Sequence, residues 1–258
     1  MKVFKELYNY RELLKTNVKK EIRGKYKASF LGVLWSFINP LLMVLVYAIV
    51  FPYIMRVKTE NYLLFLICGV IPWNWFTNVI SQGTTCITSN ANLIKKVYFP
   101  REVLPISTVT AGLINFLISC IIIVIFVLLG GCGLSWHILL LPFVTLIQYI
   151  FSLAVVFLVS AINVYIRDVE YIIIFVINML FYATPVLYSY EMFAGTKMIW
   201  LFRLNPMAHI INAYRDIFYV HQMPNMINLL IVLLVSIILI LICYSIFKKM
   251  EKRFAEEL

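Results

Sequence analysis

Apolar residues fall into six long runs, at about 33–55, 62–82, 106–130, 137–166, 171–188 and 225–247, and charged residues collect between them. Unbroken apolarity predicts helices, because a barrel strand would alternate in and out. Rising ~1.5 Å per residue, such helices are long enough to cross a ~30 Å hydrocarbon core, and 171–188 is the shortest of them. Ahead of the first run, Phe4, Leu7, Leu14, Val18, Ile22 and Tyr26 recur at steps of three, four or seven and share one helical face. Lys15, Lys19, Lys20, Arg23, Lys25 and Lys27 cover much of the rest, the pattern of a basic helix lying among lipid headgroups. The predicted fold is an all-α polytopic membrane protein. It has six transmembrane helices, an N-terminal amphipathic interface helix and a short external re-entrant or gate helix region.

Basic residues set the orientation. The segments at 1–32, 83–105, 167–170 and 248–258 hold 17 Lys and Arg, against five on the opposite side. That positive-inside bias places both termini in the cytoplasm. The chain then divides into a cytoplasmic helix at 1–30, a membrane domain at 31–247 and a tail at 248–258. Within the membrane domain, 83–105 is a cytoplasmic loop and 189–224 an external segment. The charged region before the first run is too long for a cleavable signal peptide.

Composition narrows the class. With 63% hydrophobic and 13% charged residues, the chain has about half the charge a soluble domain carries, which argues against soluble enzymes and nucleic-acid modules. The net charge of +10 belongs to topology and anionic lipid, not to nucleic acid. The five cysteines, Cys68, Cys86, Cys120, Cys132 and Cys243, have no zinc or redox spacing and read as small core residues.

The search for chemistry is mostly negative. There is no GxxxxGK[ST], no HExxH and no GxSxG, so no ATP, metal or catalytic site is expected in this chain. None of the six runs contains Asp, Glu, Lys or Arg, whereas ion-driven carriers commonly keep ionisable groups near the midplane. Energy is therefore expected from a partner.

The positive features lie at the ends of the runs. The cytoplasmic loop carries Asn92, Leu93, Ile94, Lys95, Lys96, Val97, Tyr98, Phe99, Pro100, Arg101 and Glu102. Its apolar members, Leu93, Ile94, Val97, Tyr98 and Phe99, suggest an amphipathic turn that docks into a soluble partner or, as the alternative, rests on lipid. Arg167 and Asp168 either contact that partner or form a plain solvated turn. Asn205 is placed to cap a helix with Pro206 at its first position. That helix, with Tyr214 and Arg215, is either a gate over an exit path or an interfacial helix. Among the aromatics, Trp73, Trp75, Tyr149, Phe181 and Tyr182 are candidates to line a path, where flat rings suit the C–H faces of sugars, while Trp35 reads as a residue of the interfacial belt. The competing reading makes them residues of the interfacial belt.

Several landmarks stand in order: Leu31-Gly32-Val33-Leu34-Trp35, Asn39-Pro40, Pro72-Trp73 and the 92–102 segment. They continue with Pro105, Asn163-Val164-Tyr165-Ile166-Arg167-Asp168-Val169, Pro185-Val186-Leu187-Tyr188 and Asn205-Pro206. Together these resemble the membrane subunits of type-2 ABC exporters of polysaccharides, which include O-antigen, capsule and teichoic-acid permeases. The resemblance runs from about Tyr26 to Phe218 and implies a homodimer in the bacterial inner membrane. It further implies two copies of a separate ATPase that binds ATP and Mg, and a lipid-linked glycan as cargo. By the same resemblance 1–27 is the interface helix, 88–100 the coupling helix and 206–219 the external gate, and Trp35, Trp73 and Tyr182 are candidates to line the channel. Different-class alternatives are a permease for a smaller lipid or drug, an ion channel, or a membrane-embedded glycan enzyme relying on Glu191 and Asp216.

Overall fold

A computed structural model describes residues 8–26, 35–55, 61–130, 133–193, 195–197 and 199–258. The described residues form helices and no strand: α1 (Arg11–Tyr26), α2 (Trp35–Met55), α3 (Tyr62–Thr85), α4 (Ala91–Lys96) and α5 (Val103–Leu129). They continue with α6 (Leu141–Tyr165), α7 (Val169–Tyr182), α8 (Ile199–Leu204), α9 (Pro206–Arg215) and α10 (Met226–Met250). Four stretches are long and apolar enough to cross a membrane: Tyr62–Thr85, Val103–Leu129, Trp136–Tyr165 and Met226–Glu257. The first and fifth predicted runs appear as shorter apolar helices, Ile38–Val50 within α2 and Val169–Tyr182. The chain is a multi-pass membrane protein.

The bundle is organised around α3, which packs against α2, α5, α6, α7 and α9, while α10 runs along α6. Two features explain how α3 takes that place. Gly112 of α5 lets the backbones approach, since a Cβ there would lie 2.2 Å from Val79 Cγ2. Pro72 interrupts the α3 ladder by removing one N–H; Gln148 of α6 donates to the Pro72 carbonyl at 2.8 Å and ties the two helices together at that point.

The fifth run ends earlier than its hydrophobicity indicates. Instead of a helix to residue 188, α7 stops at Tyr182 and the chain turns through 183–188, with Thr184, Pro185, Val186 and Leu187 buried. Pro185 disfavours helical backbone at the residue before it, and hydropathy does not register that. The N-terminal helix likewise differs from a free amphipathic element, because α1 packs on α5 and buries Asn17 and Val18. Phe4, Leu7 and the 31–34 landmark lie outside the described residues, as does Cys132.

Candidate functional site

Two faces of α3 carry different chemistry. On one, Trp73 is buried and lies 5.8 Å from the Phe181 ring of α7, which is 5.4 Å from Tyr182 and 6.0 Å from Tyr47 of α2. Phe76 and Phe151 extend the chain of rings into the bundle, while Tyr182 stands 69% exposed at its edge. The other face presents Asn74, Asn78 and Gln82, spaced so that i, i+4 and i+8 share a stripe. With Asn39, Asn115 and Ser119 they line a groove of about 500 Å³ between α2, α3 and α5, along with Trp35 and Trp75. The structure thus separates the six aromatic candidates. Trp73, Phe181 and Tyr182 form one group, and Trp35 and Trp75 belong to the groove. Tyr149 joins neither group: it is half-buried between helices, bonded to Thr110 at 3.0 Å.

The 92–102 segment, expected to couple to a partner, is more tightly held than a docking loop would need to be. Its helix, α4, ends at Lys96 and the chain runs extended from Val97 towards Pro100. Val97 and Tyr98 are exposed, Tyr98 by 81%, and Arg101 lies over the Tyr98 ring. Ile94 and Phe99, expected to face a partner, are instead buried in the chain's own core. Burying two of the five apolar side chains fixes the segment to the bundle and leaves the rest as its outward surface. Glu102, also read as part of the outward segment, is wholly buried; Lys248 of α10 stands 3.0 Å from its carboxylate and the Tyr244 hydroxyl donates to it at 3.4 Å. Lys248 also meets Glu251 at 2.9 Å. Phe254 is buried against Phe247, and the Tyr165 hydroxyl donates to the Met250 carbonyl, so the C-terminal turns are packed against the same end of the bundle. On α1, Lys20 donates to Asn90 at 3.0 Å, joining that helix to the same segment.

Arg167 and Asp168 occupy an exposed turn between α6 and α7. Arg167 lines a second cleft of about 500 Å³ with Thr88, Ser89, Asn163, Glu170 and Leu258.

In the 189–224 segment, Asn205 Oδ1 accepts from the Met207 N–H and Pro206 occupies the first turn of α9. Asn205 also donates to Thr184 at 2.8 Å. Tyr214 and Arg215, expected at a gate surface, are both buried. Tyr214 bonds Thr145 at 3.3 Å, and Arg215 donates to the carbonyls of Pro185 and Val186, each at 2.6 Å. The guanidinium sits 3.6 Å from the centre of the Phe65 ring, and Tyr62 donates to the Leu187 carbonyl at 2.8 Å. Backbone that has left α7 and turns through Pro185 and Val186 has free carbonyls, and these side chains satisfy them. Gly69 makes room, since a Cβ there would lie 2.7 Å from Arg215 Nη2 and 2.8 Å from the Val186 oxygen. Asp216 beside it accepts from Gln222 at 2.8 Å, and burial raises its carboxyl above the usual range. No group of three or more His, Cys, Asp or Glu able to hold a metal occurs among the described residues.

Sequence reasoning missed the amide stripe and the Glu102–Lys248 pair. The first was readable as Asn, Asn and Gln four residues apart on an apolar helix, a polar periodicity that a count of charges passes over. The second joins residues 146 apart and leaves no local mark.

Known proteins give the arrangement a family. The profile described as ABC-2 type transporter matches residues 12–219. The O-antigen export system permease protein RfbA of Myxococcus xanthus is 37% identical over 259 residues, covering 100% of both chains. Two proteins of the same name from Klebsiella pneumoniae are 37% and 35% identical over 247 residues, covering 95% of this chain and 94% of theirs. With the profile spanning well over half its length and relatives similar from end to end, this chain belongs to the ABC-2 type transporter family.

Proposed function

We propose that this chain is the permease subunit of an ATP-driven exporter that moves a lipid-linked polysaccharide across the cytoplasmic membrane. The observation carrying this reading is the full-length similarity to permeases named for O-antigen export. The chain is a transport subunit, and ATP with Mg is bound by a separate ATPase, of which two copies serve two copies of this chain. Six helices cross the membrane with both termini in the cytoplasm, a disposition supported by the basic bias of the loops. Residues 1–30 and 83–105 seat on the ATPase and 189–224 forms the external gate. The Lys20–Asn90 bond and the Glu102–Lys248 pair support transmission of ATPase motion through both cytoplasmic pieces into α5 and α10. The aromatic group of Trp73, Phe181 and Tyr182 lies where α7 keeps only Ile177 buried, which favours a second copy against that helix and a path of flat rings between copies.

The test is purification of the tagged chain from its native membrane in mild detergent, with deletion of its gene in parallel. The expected outcome is a stoichiometric P-loop ATPase in the preparation and polysaccharide retained inside the deletion strain. A stable preparation without an ATPase, or normal surface polysaccharide in the deletion strain, overturns the proposal.

A further inference from the structure

The groove between α2, α3 and α5 is unusual for membrane helices. Asn39, Asn74, Asn78, Gln82, Asn115 and Ser119 line it, and among the described residues no charged side chain does. Amides facing hydrocarbon are costly unless something satisfies them. Amides used to join helices would bond across the interface, yet the side chains of Asn39, Asn74, Asn78 and Gln82 make no hydrogen bond within the described residues. Trp75 adds a donor of the same kind: its ring is buried, its Nε1 has no partner, and it lines the groove. The indole cannot readily turn away, because it stacks on Phe116 at 4.5 Å and a Cβ at Gly112 would crowd its nitrogen at 3.2 Å.

From this geometry we propose that the groove is a binding site for neutral sugar rings, holding the glycan through its hydroxyl groups. The inference rests on the polysaccharide reading and adds a place on one copy of the chain, separate from the aromatic group on the opposite face of α3. Each amide offers donors and an acceptor, which is what a hydroxyl, itself both donor and acceptor, requires. The absence of cations argues against phosphate as the group held here, and the absence of carboxylates argues against a metal or amine. Trp35, 45% exposed at the rim, supplies a flat face for the C–H side of a ring. The volume of about 500 Å³ is that of a small-ligand site, so the groove holds a short stretch of glycan and not a polymer coil. Gln82 lies near the end of α3 that leads into the basic coupling segment, and Trp35 opens α2, so the groove reaches that end of the bundle.

The test uses the permease–ATPase complex in nanodiscs, in a Cys132→Ser background, since Cys68, Cys86, Cys120 and Cys243 are buried. In the Asn78→Cys variant the membrane-impermeant cation MTSET should label the new thiol. Dodecyl maltoside below its micelle concentration should slow labelling at least fivefold, and dodecylphosphocholine, with a similar tail and a charged head, should not. A thiol that MTSET never reaches, or equal protection by both amphiphiles, overturns the proposal. In cells, Asn74→Leu/Asn78→Leu/Gln82→Leu should lower surface polysaccharide at least tenfold at matched levels of assembled complex. Export at the wild-type level overturns the groove alone, whereas a wild-type chain that supports no polysaccharide export overturns the permease reading beneath it. Should the triple variant fail to assemble, the labelling arm decides.

Discussion

Lys248→Met isolates the Glu102 carboxylate. In the native chain Lys248 Nζ lies 3.0 Å from that carboxylate, the Tyr244 hydroxyl is 3.4 Å away, and Glu102 has no exposed surface. Removing one partner of a buried pair typically costs about 3–5 kcal/mol, because a charge is left where water cannot reach it. The Lys248 side chain keeps 31% of its exposure, so the lower end, about 3 kcal/mol, is expected. For a chain of this size that corresponds to a fall of roughly 6–12 °C in apparent melting temperature. The assay is thermal unfolding of the purified chain in detergent, followed by intrinsic fluorescence. Glu102→Gln combined with Lys248→Met should recover part of the loss, since it removes the fully buried charge and leaves Glu251, whose side chain keeps 15% of its exposure, as the carboxylate without its lysine. A single variant melting within 2 °C of wild type would refute the claim that this pair fastens the coupling segment to α10. A double variant no better than the single would show that packing, not charge, sets the cost.

Other outcomes follow from the same geometry. Tyr98→Asp should abolish co-purification of the ATPase and leave the melting temperature within 2 °C, because Tyr98 is exposed; Phe99→Asp should lower both, since Phe99 is buried. Equal effects of the two would count against the outward surface described above. Arg215→Lys should destabilise by about 1.5–3 kcal/mol, since an ammonium cannot reproduce the guanidinium fork over the Pro185 and Val186 carbonyls; a melting temperature equal to wild type would contradict that role. Asp216→Asn carries a pH signature. Burial raises the Asp216 carboxyl above its ordinary 3.8, so the charged form is disfavoured in the fold. That penalty is absent below the unfolded value and grows as pH rises through the folded one. The variant should therefore match wild type at pH 3.5 and melt higher at pH 8, and a gain of equal size at both would exclude titration as its source.

How much could be read from the sequence depends on the range of the interaction that fixes each element. The membrane helices were legible because burial in lipid is written locally, as unbroken apolar runs. The Asn205 cap was legible for the same reason, its acceptor and donor being two residues apart. The end of α7 was not: hydropathy continues through Val186 and Leu187, and only Pro185 signals a stop. What makes the stop tolerable is Arg215, some thirty residues downstream. The coupling segment was half legible. Val97 and Tyr98 are exposed as expected, but Glu102 is drawn in by Lys248 and Tyr244 of α10, far along the chain, and Ile94 and Phe99 turn inward with no local warning. The amide stripe was in plain view and was passed over by attending to formal charge, although in hydrocarbon a neutral amide is also conspicuous.

The shortness of α7 bears on the lipid as well as on the protein. Its 14 residues rise about 21 Å, some 9 Å less than a typical hydrocarbon core. Wherever lipid and not a second copy meets so short an apolar rod, the bilayer relieves the mismatch by thinning around it. Thinned hydrocarbon is a smaller dielectric barrier, and it draws the headgroups of the two leaflets towards each other. On the proposed path beside α7, a hydrophilic chain would then have less oil to cross than in the unthinned bilayer, and the surrounding solvent would carry part of the work of transport.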